Sequence, residues 1–305
     1  MFFNIGNSCL YCLDNYNIIN DYYQYIVELI KKFLINNKEL EINIILCNEN
    51  YLFNNNNKIL RIGINYEHTL VKKGGRDSNN SPIGNVKDND NNYYLVRIDR
   101  YNKLIDNDII IDYSMPNIHN VVSSLLFNEF SKKHIYIASS IYDSYILKEN
   151  RNITTLTTFI NTNEQRRKKL LDKIQDEKIE HINVNNCFNK DDLCKLYKNT
   201  KIIINIHQTD HHHTFEELRV LPALQCGVIV ICENSPLNNL IPYNDFIIWS
   251  NYDEILDKVK DVINNYEYYH NLIFNSSKKS LDELNNSNYN TINNAIKNNL
   301  YSIFK

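Results

Sequence analysis

Glycine, proline and tryptophan are scarce in this chain, whose 305 residues include six, five and one of them, respectively. Gly227 is the only glycine after residue 150, which excludes the glycine-rich phosphate-binding loop from the second half of the sequence. No apolar run approaches the ~18–20 residues of a membrane-spanning helix, and the N-terminal MFFNIGN lacks the basic and apolar regions of a signal peptide. We therefore expect no integral membrane segment and a location in the cytoplasm, which is the host cytoplasm if the chain is viral.

Neither sign of charge dominates the composition. The 33 Lys and Arg residues nearly balance the 36 Asp and Glu residues, and the formal net charge is −3. A broad nucleic-acid-binding surface normally needs a clear basic excess, so we expect no nucleic-acid partner. The basic run RRKK at 166–169 is short, and we interpret it as a solvated helix face.

Cysteine and histidine give no metal or disulfide pattern. Seven cysteines lack framework spacing, and the lone C-x-x-C of Cys9 and Cys12 has no second pair to complete a zinc site. Three consecutive histidines at 211–213 cannot all face one ion in regular structure. We predict no metal site and no cofactor.

The order of patterned segments predicts the fold class. Apolar β-forming runs alternate with segments of helical spacing through both halves, which favours an α/β protein with two Rossmann-like, doubly wound domains facing across a cleft. We place the first domain at 1–150, on the acceptor side, and the second at 151–266. Helices at 267–305 are expected to pack back toward the first domain.

The first domain contains one segment of a different kind. Residues 66–92 are polar and weakly periodic, and we predict a long loop or hairpin there. Its Lys72 and Lys73 are candidates to hold a phosphate or a sugar, and a flexible surface loop is an equal alternative. Further along, a single helix is predicted from about 117 to 130.

The most informative stretch is 200–237, which reads as strand, polar loop, helix and strand. The first apolar strand ends in His207, and the second ends in Glu233, shortly before Ser235. Ligands of open α/β sheets bind at the carboxyl ends of parallel strands, and helix N-termini favour anions. This stretch therefore predicts an anion or nucleotide site. His207 is interpreted either as a donor or base at that site or as a structural histidine.

The helix between these strands is expected to begin at Thr214 or Phe215. Glu216 and Arg219 are three residues apart and share a face of its first turns. An arginine so near a helix start opposes the helix dipole, so it needs an anionic partner. That partner is a phosphate, which guanidinium binds in a bidentate fork, or else a neighbouring glutamate in a structural pair. Pro222 inside the helix predicts a kink.

These segments resemble the C-terminal domain of group 1 glycosyltransferases of the GT-B fold. EELRVLPALQCG at 216–227 is similar to the family pattern E-x-x-R-[IV]-x-x-[AL]-x-x-x-G, and VIVICENSPL resembles the strand and turn that follow it. FIIWSNYDEILDKVKDVI at 246–263 is similar to the closing strand and domain-bridging helix. The resemblance covers about 150–265. The paired-glutamate form of the pattern is not met, since its second acid falls at Pro222.

The resemblance implies hexosyl or related transfer in glycan biosynthesis. A sugar would pass from a UDP- or GDP-linked donor to a hydroxyl of a glycan or of a protein- or lipid-linked acceptor, without a metal ion. Candidate catalytic residues are His207, Arg219 and Glu216; candidate donor-binding residues are Asn161, Arg166, Glu217, Glu233 and Ser235; and candidate acceptor-side residues are His68, Lys72, Lys73, Asp99 and His119. The alternatives are a sugar-nucleotide epimerase of the same fold, a non-catalytic nucleotide-sugar-binding or structural protein, and a metal-dependent hydrolase built on the histidine triplet.

Overall fold

The computed structural model describes residues 1–13, 19–47, 59–74, 85–87, 89–98, 100–142, 150–208 and 215–303. They form two compact units, one of Met1–Ala138 with Asn286–Lys305 and one of Ser139–Asn285. The sequence-based divisions were placed after 150 and 266. Each unit contains a mainly parallel sheet with helices, which confirms the predicted α/β class.

The first unit is built on a six-stranded sheet. Its order is β1-β2-β3-β4-β8-β9, and all neighbours are parallel except β1 and β2. The strands follow one another in chain order across this sheet, without a reversal. The elements are β1 Phe2–Ile5, β2 Ser8–Cys12, α1 Asn20–Asn36, β3 Asn43–Leu46, β4 Ile59–Asn65, β5 Leu70–Lys73, β6 Asn85–Lys87, β7 Tyr93–Arg97, α2 Tyr101–Leu104, β8 Ile109–Asp112, α3 Met115–Ser124, α4 Asn128–Lys133 and β9 His134–Tyr136.

Two local features of the first unit refine the sequence-based expectations. The segment at 66–92 contributes β5 and β6, which pair with β7 just after it in a three-stranded antiparallel sheet of order β5-β7-β6. The single helix predicted at 117–130 is two helices, α3 and α4, and that prediction was wrong. Leu125 interrupts it with a φ of 58°, a left-handed conformation that cannot continue an α-helix.

The second unit contains a five-stranded sheet, all parallel, of order β11-β10-β12-β13-β14. The chain moves from β10 to β11 on one side and then returns to β12 on the other, so this sheet is doubly wound. The crevice at such a reversal lies at the carboxyl ends of the two strands. The elements are β10 Ile153–Thr157, α5 Gln165–Asp176, β11 His181–Asn183, α6 Lys190–Lys198, β12 Thr200–Asn205, α7 Glu217–Gln225, β13 Ile229–Glu233, β14 Ile247–Ser250, α8 Ile255–Asn264 and α9 Tyr266–Ile303.

Hydrophobic burial holds the second sheet in place. Ile202, Ile203, Ile229 and Val230 on the central strands are at most 1% exposed. Continuous apolar runs of this kind are typical of parallel strands covered on both faces. Burying each such side chain stabilises the fold by about 1.5–3 kcal/mol relative to leaving it exposed.

A buried arginine also ties elements of the second unit together. Arg151 Nη1 donates to the carbonyl oxygens of Tyr197 at 2.9 Å and Thr200 at 2.7 Å, and Nη2 donates to that of Cys226 at 2.6 Å. Tyr197 is in the last turn of α6, and Cys226 follows the last residue of α7. A guanidinium at these positions complements the negative ends of two helix dipoles.

The long helix α9 contributes residues to both units, and those from Asn286 onward belong to the first. There Asn288 is buried and bonds both ways with the backbone of Ala138, with each distance 2.9 Å. Its amide also donates to Tyr25 Oη at 2.9 Å. Among the described residues, no helix combines the length and apolarity needed to cross a bilayer.

The Cys9–Cys12 motif is not a dithiol pair. Both residues are on β2, where a separation of three places their side chains on opposite faces. Cys12 is buried, whereas Cys9 is partly exposed and its Sγ donates to Asn4 Oδ1 at 3.2 Å.

Candidate functional site

An arginine–glutamate triad lies at the carboxyl edge of the second sheet. Glu216 lies between two guanidinium groups, with 3.7 Å from its Oε1 to Arg167 Nη2 and 3.6 Å from its Oε2 to Arg219 Nη2. Arg167 comes from the first turn of α5, and Arg219 from the first turn of α7, with Glu216 at the N-cap position of that helix. Two positive groups share one carboxylate, so this triad carries one net positive charge.

Arg167 is buried, Arg219 is half-buried with 17% of its side chain exposed, and each has one buried nitrogen without a hydrogen bond among the described residues. The side chain of Arg167 is only 4% exposed, and its guanidinium lies 4.8 Å from the centre of the Phe159 ring. Within the described parts of the chain, the buried atoms Nε of Arg167 and Nη1 of Arg219 have no hydrogen-bond partner. Burial lowers the pKa of Arg167, while nearby Glu216 raises it and Arg219 lowers it further. Buried donors without acceptors are costly, and this arrangement is suited to an incoming anion.

A second ion pair, Arg166 with Glu233, joins α5 to the ends of the neighbouring strands. Arg166 Nη2 donates to Oε1 of Glu233, and the other carboxylate oxygen accepts from the backbone N–H of His207 at 2.9 Å. The Arg166 guanidinium also stacks on Tyr252, whose ring centre is 4.3 Å away. His207 Nε2 is 3.1 Å from the carbonyl oxygen of Asn234. Glu233 thus links α5 to the ends of β12 and β13.

Of the charged candidates on the second unit, the structure pairs Glu216 with Arg219 and Arg166 with Glu233, and it adds Arg167 to the first pair. The interpretation of 166–169 as one solvated face was wrong, because Arg166 and Arg167 turn inward while Lys168 remains 60% exposed. A signal was present in the sequence. Arg167 shares a helical face with Leu170 and Ile174, which are both buried.

The remaining donor-side candidates lie in different environments. Asn161 is exposed, and Ser235 is 6% exposed. Glu217 is completely buried, and its Oε2 accepts from the Tyr243 hydroxyl at 2.7 Å, so its carboxylate points into the packed interior. This location corrects the expectation that Glu217 contacts a donor at the surface.

Helix α7 begins at Glu217, two residues later than the later of the two predicted starts. Its nine residues run through Pro222 to Gln225 as one element. The earlier of the two predicted helix starts, Thr214, and the histidine triplet at 211–213 lie outside the described residues.

The acceptor-side candidates are dispersed over the first unit. His68 is half-buried in the loop after β4, with its Nδ1 3.3 Å from Tyr113 Oη. Lys72 and Lys73 are exposed on β5, and His119 is exposed on α3. Asp99 lies outside the described residues. Of the described candidates, only His68 lies both at the carboxyl edge of the sheet and against a buried side chain.

A buried network beneath His68 was not found from the sequence. The Asp112 carboxylate accepts from Asn65 Nδ2 at 2.7 Å, His134 Nε2 at 2.8 Å, Ser114 N at 2.8 Å and Asn117 Nδ2 at 3.0 Å. The amides of Asn65 and Asn117 also donate to the carbonyl of Glu67, which fixes the loop that carries His68. The side chains of Asp112 and His134 are 0% exposed, so they act on the His68 loop only through the buried amides that they hold.

No group of three or more His, Cys, Asp or Glu side chains able to hold a metal ion occurs within the described ranges. The histidine triplet is not among them. Metal independence therefore stays a prediction.

Two kinds of solved structure are similar to this chain. TarM is 12% identical, with 85% of this chain and 54% of that chain covered and a TM-score of 0.48, so the chain spans about half the length of TarM. An α1,3-fucosyltransferase with GDP-fucose is 13% identical, with 76% and 68% covered and a TM-score of 0.38. Another structure of an α1,3-fucosyltransferase is 13% identical, with 88% and 79% covered and a TM-score of 0.37. These values lie below the level at which structural similarity identifies a shared activity.

No protein-family model matches the chain. A sequence relative does. The uncharacterized protein R358 of Acanthamoeba polyphaga mimivirus is 31% identical over 203 residues, which are 62% of this chain and 67% of the relative. The chain therefore belongs to the same protein family as this mimivirus protein.

Proposed function

We propose that the chain is a glycosyltransferase whose second unit binds the diphosphate of a nucleotide-sugar at Arg167 and Arg219. The observation that carries this proposal is the pair of guanidinium groups, one buried and one half-buried, that share one carboxylate at the carboxyl edge of a doubly wound sheet. The sequence pattern around Glu216 and Arg219, which resembles that of nucleotide-sugar enzymes, supports the same site.

A diphosphate fits the chemistry of this pair. Guanidinium binds phosphate oxygens through two parallel N–H donors, and Arg167 and Arg219 each have one buried nitrogen without a partner among the described residues. The N-terminus of α7 lies beside them, and the helix dipole favours negative charge there. In a site this sheltered from water, each attraction is stronger than at the surface.

The proposed catalytic role follows from where charge develops. When the bond between the sugar and the diphosphate breaks, negative charge grows on the leaving phosphate, and fixed guanidinium groups stabilise it. Arg167 and Arg219 would thus take the part that a metal ion plays in other transferases. We assign the donor to the UDP- or GDP-linked class.

His207 is proposed as a positioning residue. A carbonyl oxygen only accepts, so His207 Nε2 donates its hydrogen to the carbonyl oxygen of Asn234, which fixes the orientation of the ring. Glu233 fixes both the backbone of His207 and the guanidinium of Arg166. We propose that this group orients hydroxyls of the donor next to the diphosphate.

For the first unit by itself, we propose that His68 binds an acceptor hydroxyl. Its ring is held by Tyr113 at 3.3 Å, and the loop that carries it is fixed by buried amides. A fixed, partly exposed imidazole is suited to hydrogen bonding a hydroxyl group.

The test is calorimetry with UDP, GDP and TDP on the purified chain, with GDP included because GDP-fucose is the ligand of one similar structure. We expect binding of at least one nucleoside diphosphate, lost in Arg167→Ala and Arg219→Ala and retained in Lys168→Ala, a neighbouring exposed lysine. A nucleotide at 100 times its dissociation constant should add ~2.7 kcal/mol to the free energy of unfolding. Absence of binding by all three nucleotides would overturn the proposal.

A further inference from the structure

The carboxylate of Glu216 is in loose contact with both arginines of the triad. Its distances of 3.7 Å to Arg167 and 3.6 Å to Arg219 exceed the ~2.7–2.9 Å of a charge-assisted hydrogen bond. Glu216 therefore offsets part of their positive charge but leaves the buried N–H groups of Arg167 Nε and Arg219 Nη1 without an acceptor, among the described residues.

We propose that Glu216 is an exchangeable internal ligand, which occupies the anion position between Arg167 and Arg219 until a diphosphate displaces it. This inference rests on the anion site of the proposed function, and it assigns Glu216 the role of a competitor in place of a catalytic role.

The position of Glu216 permits such an exchange. It is the N-cap residue of α7, but its side chain makes no capping hydrogen bond to the helix, so leaving the arginines breaks no cap. Its side chain is 25% exposed, whereas that of Arg167 is 4% exposed. The carboxylate can therefore turn toward solvent while the arginine remains in place.

Charge gives the exchange its direction. A diphosphate brings more negative charge and more acceptor oxygens than one carboxylate, so it satisfies donors that Glu216 leaves unpaired. A monoanion has no such advantage over Glu216. The internal carboxylate is therefore expected to lower the affinity for every anion and to select for those with two phosphates.

The experiment measures binding of inorganic pyrophosphate and inorganic phosphate to the full chain and to Glu216→Gln, which keeps the side-chain shape and removes the charge. Because two partly buried ion pairs no longer compete, we expect Glu216→Gln to bind pyrophosphate about three- to tenfold more tightly. The preference for pyrophosphate over phosphate should shrink. Glu177→Gln, which removes one charge at a distant pair with Lys260, should change neither affinity.

A second measurement covers the case in which Glu216→Gln is unstable. Glu216→Gln leaves the guanidinium groups of Arg167 and Arg219 without their carboxylate, which should lower the melting temperature. Saturating pyrophosphate should bring the melting temperature of the variant to within about 1 °C of that of the native chain at the same ligand concentration. In an Arg219→Ala background, Glu216→Gln should increase pyrophosphate affinity by a smaller factor, because the ion pair between Glu216 and Arg219 is already absent.

The outcomes separate this inference from the function on which it rests. Unchanged or weaker pyrophosphate binding by Glu216→Gln, with binding still lost in Arg167→Ala, would refute the internal-ligand role alone. Failure of the native chain to bind pyrophosphate would refute both.

Discussion

The carboxyl edges of the two mainly parallel sheets both contain buried charged groups, but these groups are hydrogen bonded to different extents. In the first unit, Asp112 is fully buried, and its carboxylate accepts four hydrogen bonds. In the second unit, Arg167 and Arg219 share one loosely held carboxylate, and each retains a buried nitrogen without a partner among the described residues. All four of these bonds to the Asp112 carboxylate stabilise the fold, although Asn65 Oδ1 and His134 Nδ1 beside it have no partner among the described residues. Unpaired donors such as those of Arg167 and Arg219 are, by contrast, available to an anion. The comparison predicts that mutations at the first edge change stability and that mutations at the second change binding.

The largest effect is expected from Asp112→Ala. It removes the acceptor of four buried hydrogen bonds and leaves Ser114 N and His134 Nε2 without that partner, and breaking a buried charged network typically costs about 3–5 kcal/mol. The measurement is the free energy of unfolding by urea, with Asp176→Ala, an exposed residue of α5, as the control that should stay within about 0.5 kcal/mol. A loss below 1 kcal/mol would contradict the contrast between the edges.

Arg219→Ala should have the opposite effect to Asp112→Ala, with a large loss of activity and a small loss of stability. We expect turnover with a nucleotide-sugar donor and acceptor to fall about 100-fold or more, equivalent to about 2.7 kcal/mol, because one donor to the leaving diphosphate is lost. The free energy of unfolding should change less than it does in Asp112→Ala. Steady-state kinetics and urea unfolding on one preparation test both statements, and unchanged turnover would contradict the assignment.

His181 shows that the second unit also has satisfied polar groups away from its site. Its Nδ1 and Nε2 are each 3.0 Å from the hydroxyls of Thr155 and Thr157, and burial lowers its pKa from 6.5 to about 4. Between about pH 4 and pH 6.5, His181 is protonated in the unfolded chain but stays neutral in the folded chain. Stability due to this group is therefore fully present above pH 6.5 and is lost as the pH falls toward 4.

We expect this loss to be about 2 kcal/mol, after allowance for the partial exposure of the ring. The measurement is urea unfolding between pH 4 and 7 of the native chain and of His181→Gln. The variant should have a flatter profile in that window, and His119→Gln, an exposed histidine, should not. Equal slopes of unfolding free energy against pH in all three proteins would contradict a lowered pKa of His181 in the folded chain.

The smallest effect is expected from Lys168→Ala. This lysine pairs with Asp172 at 2.6 Å on the exposed side of α5, and such surface pairs contribute about 0.5 kcal/mol or less. Because it follows Arg167 directly, it is the sharpest control for the buried position. Urea unfolding and nucleotide binding should both remain near native values.

Much of the fold could be predicted because its signals are local. The buried strands β12 and β13 are apolar runs ended by His207 and Glu233, and the parallel arrangement follows from the alternation of elements. The pairing of Glu216 with Arg219 follows from their spacing. These features require only neighbouring residues.

The missed features depend on contacts between distant residues. Asp112 and His134 are 22 positions apart, and only the pairing of β8 with β9 brings them together. Arg167 was hidden within a charged run, although its helical face is otherwise apolar. The break at Leu125 depends on one backbone torsion that no residue pattern announces.

The bond between Asn288 and Ala138 has a consequence for synthesis of the chain. The first unit needs residues after 285 to satisfy the backbone at Ala138, whereas the second unit is continuous from Ser139 to Asn285. Domains of nascent proteins usually complete folding in the order in which they leave the ribosome. Here we expect the order to be inverted, with the second unit completed first and the first unit completed only after the residues that follow 285 have been made.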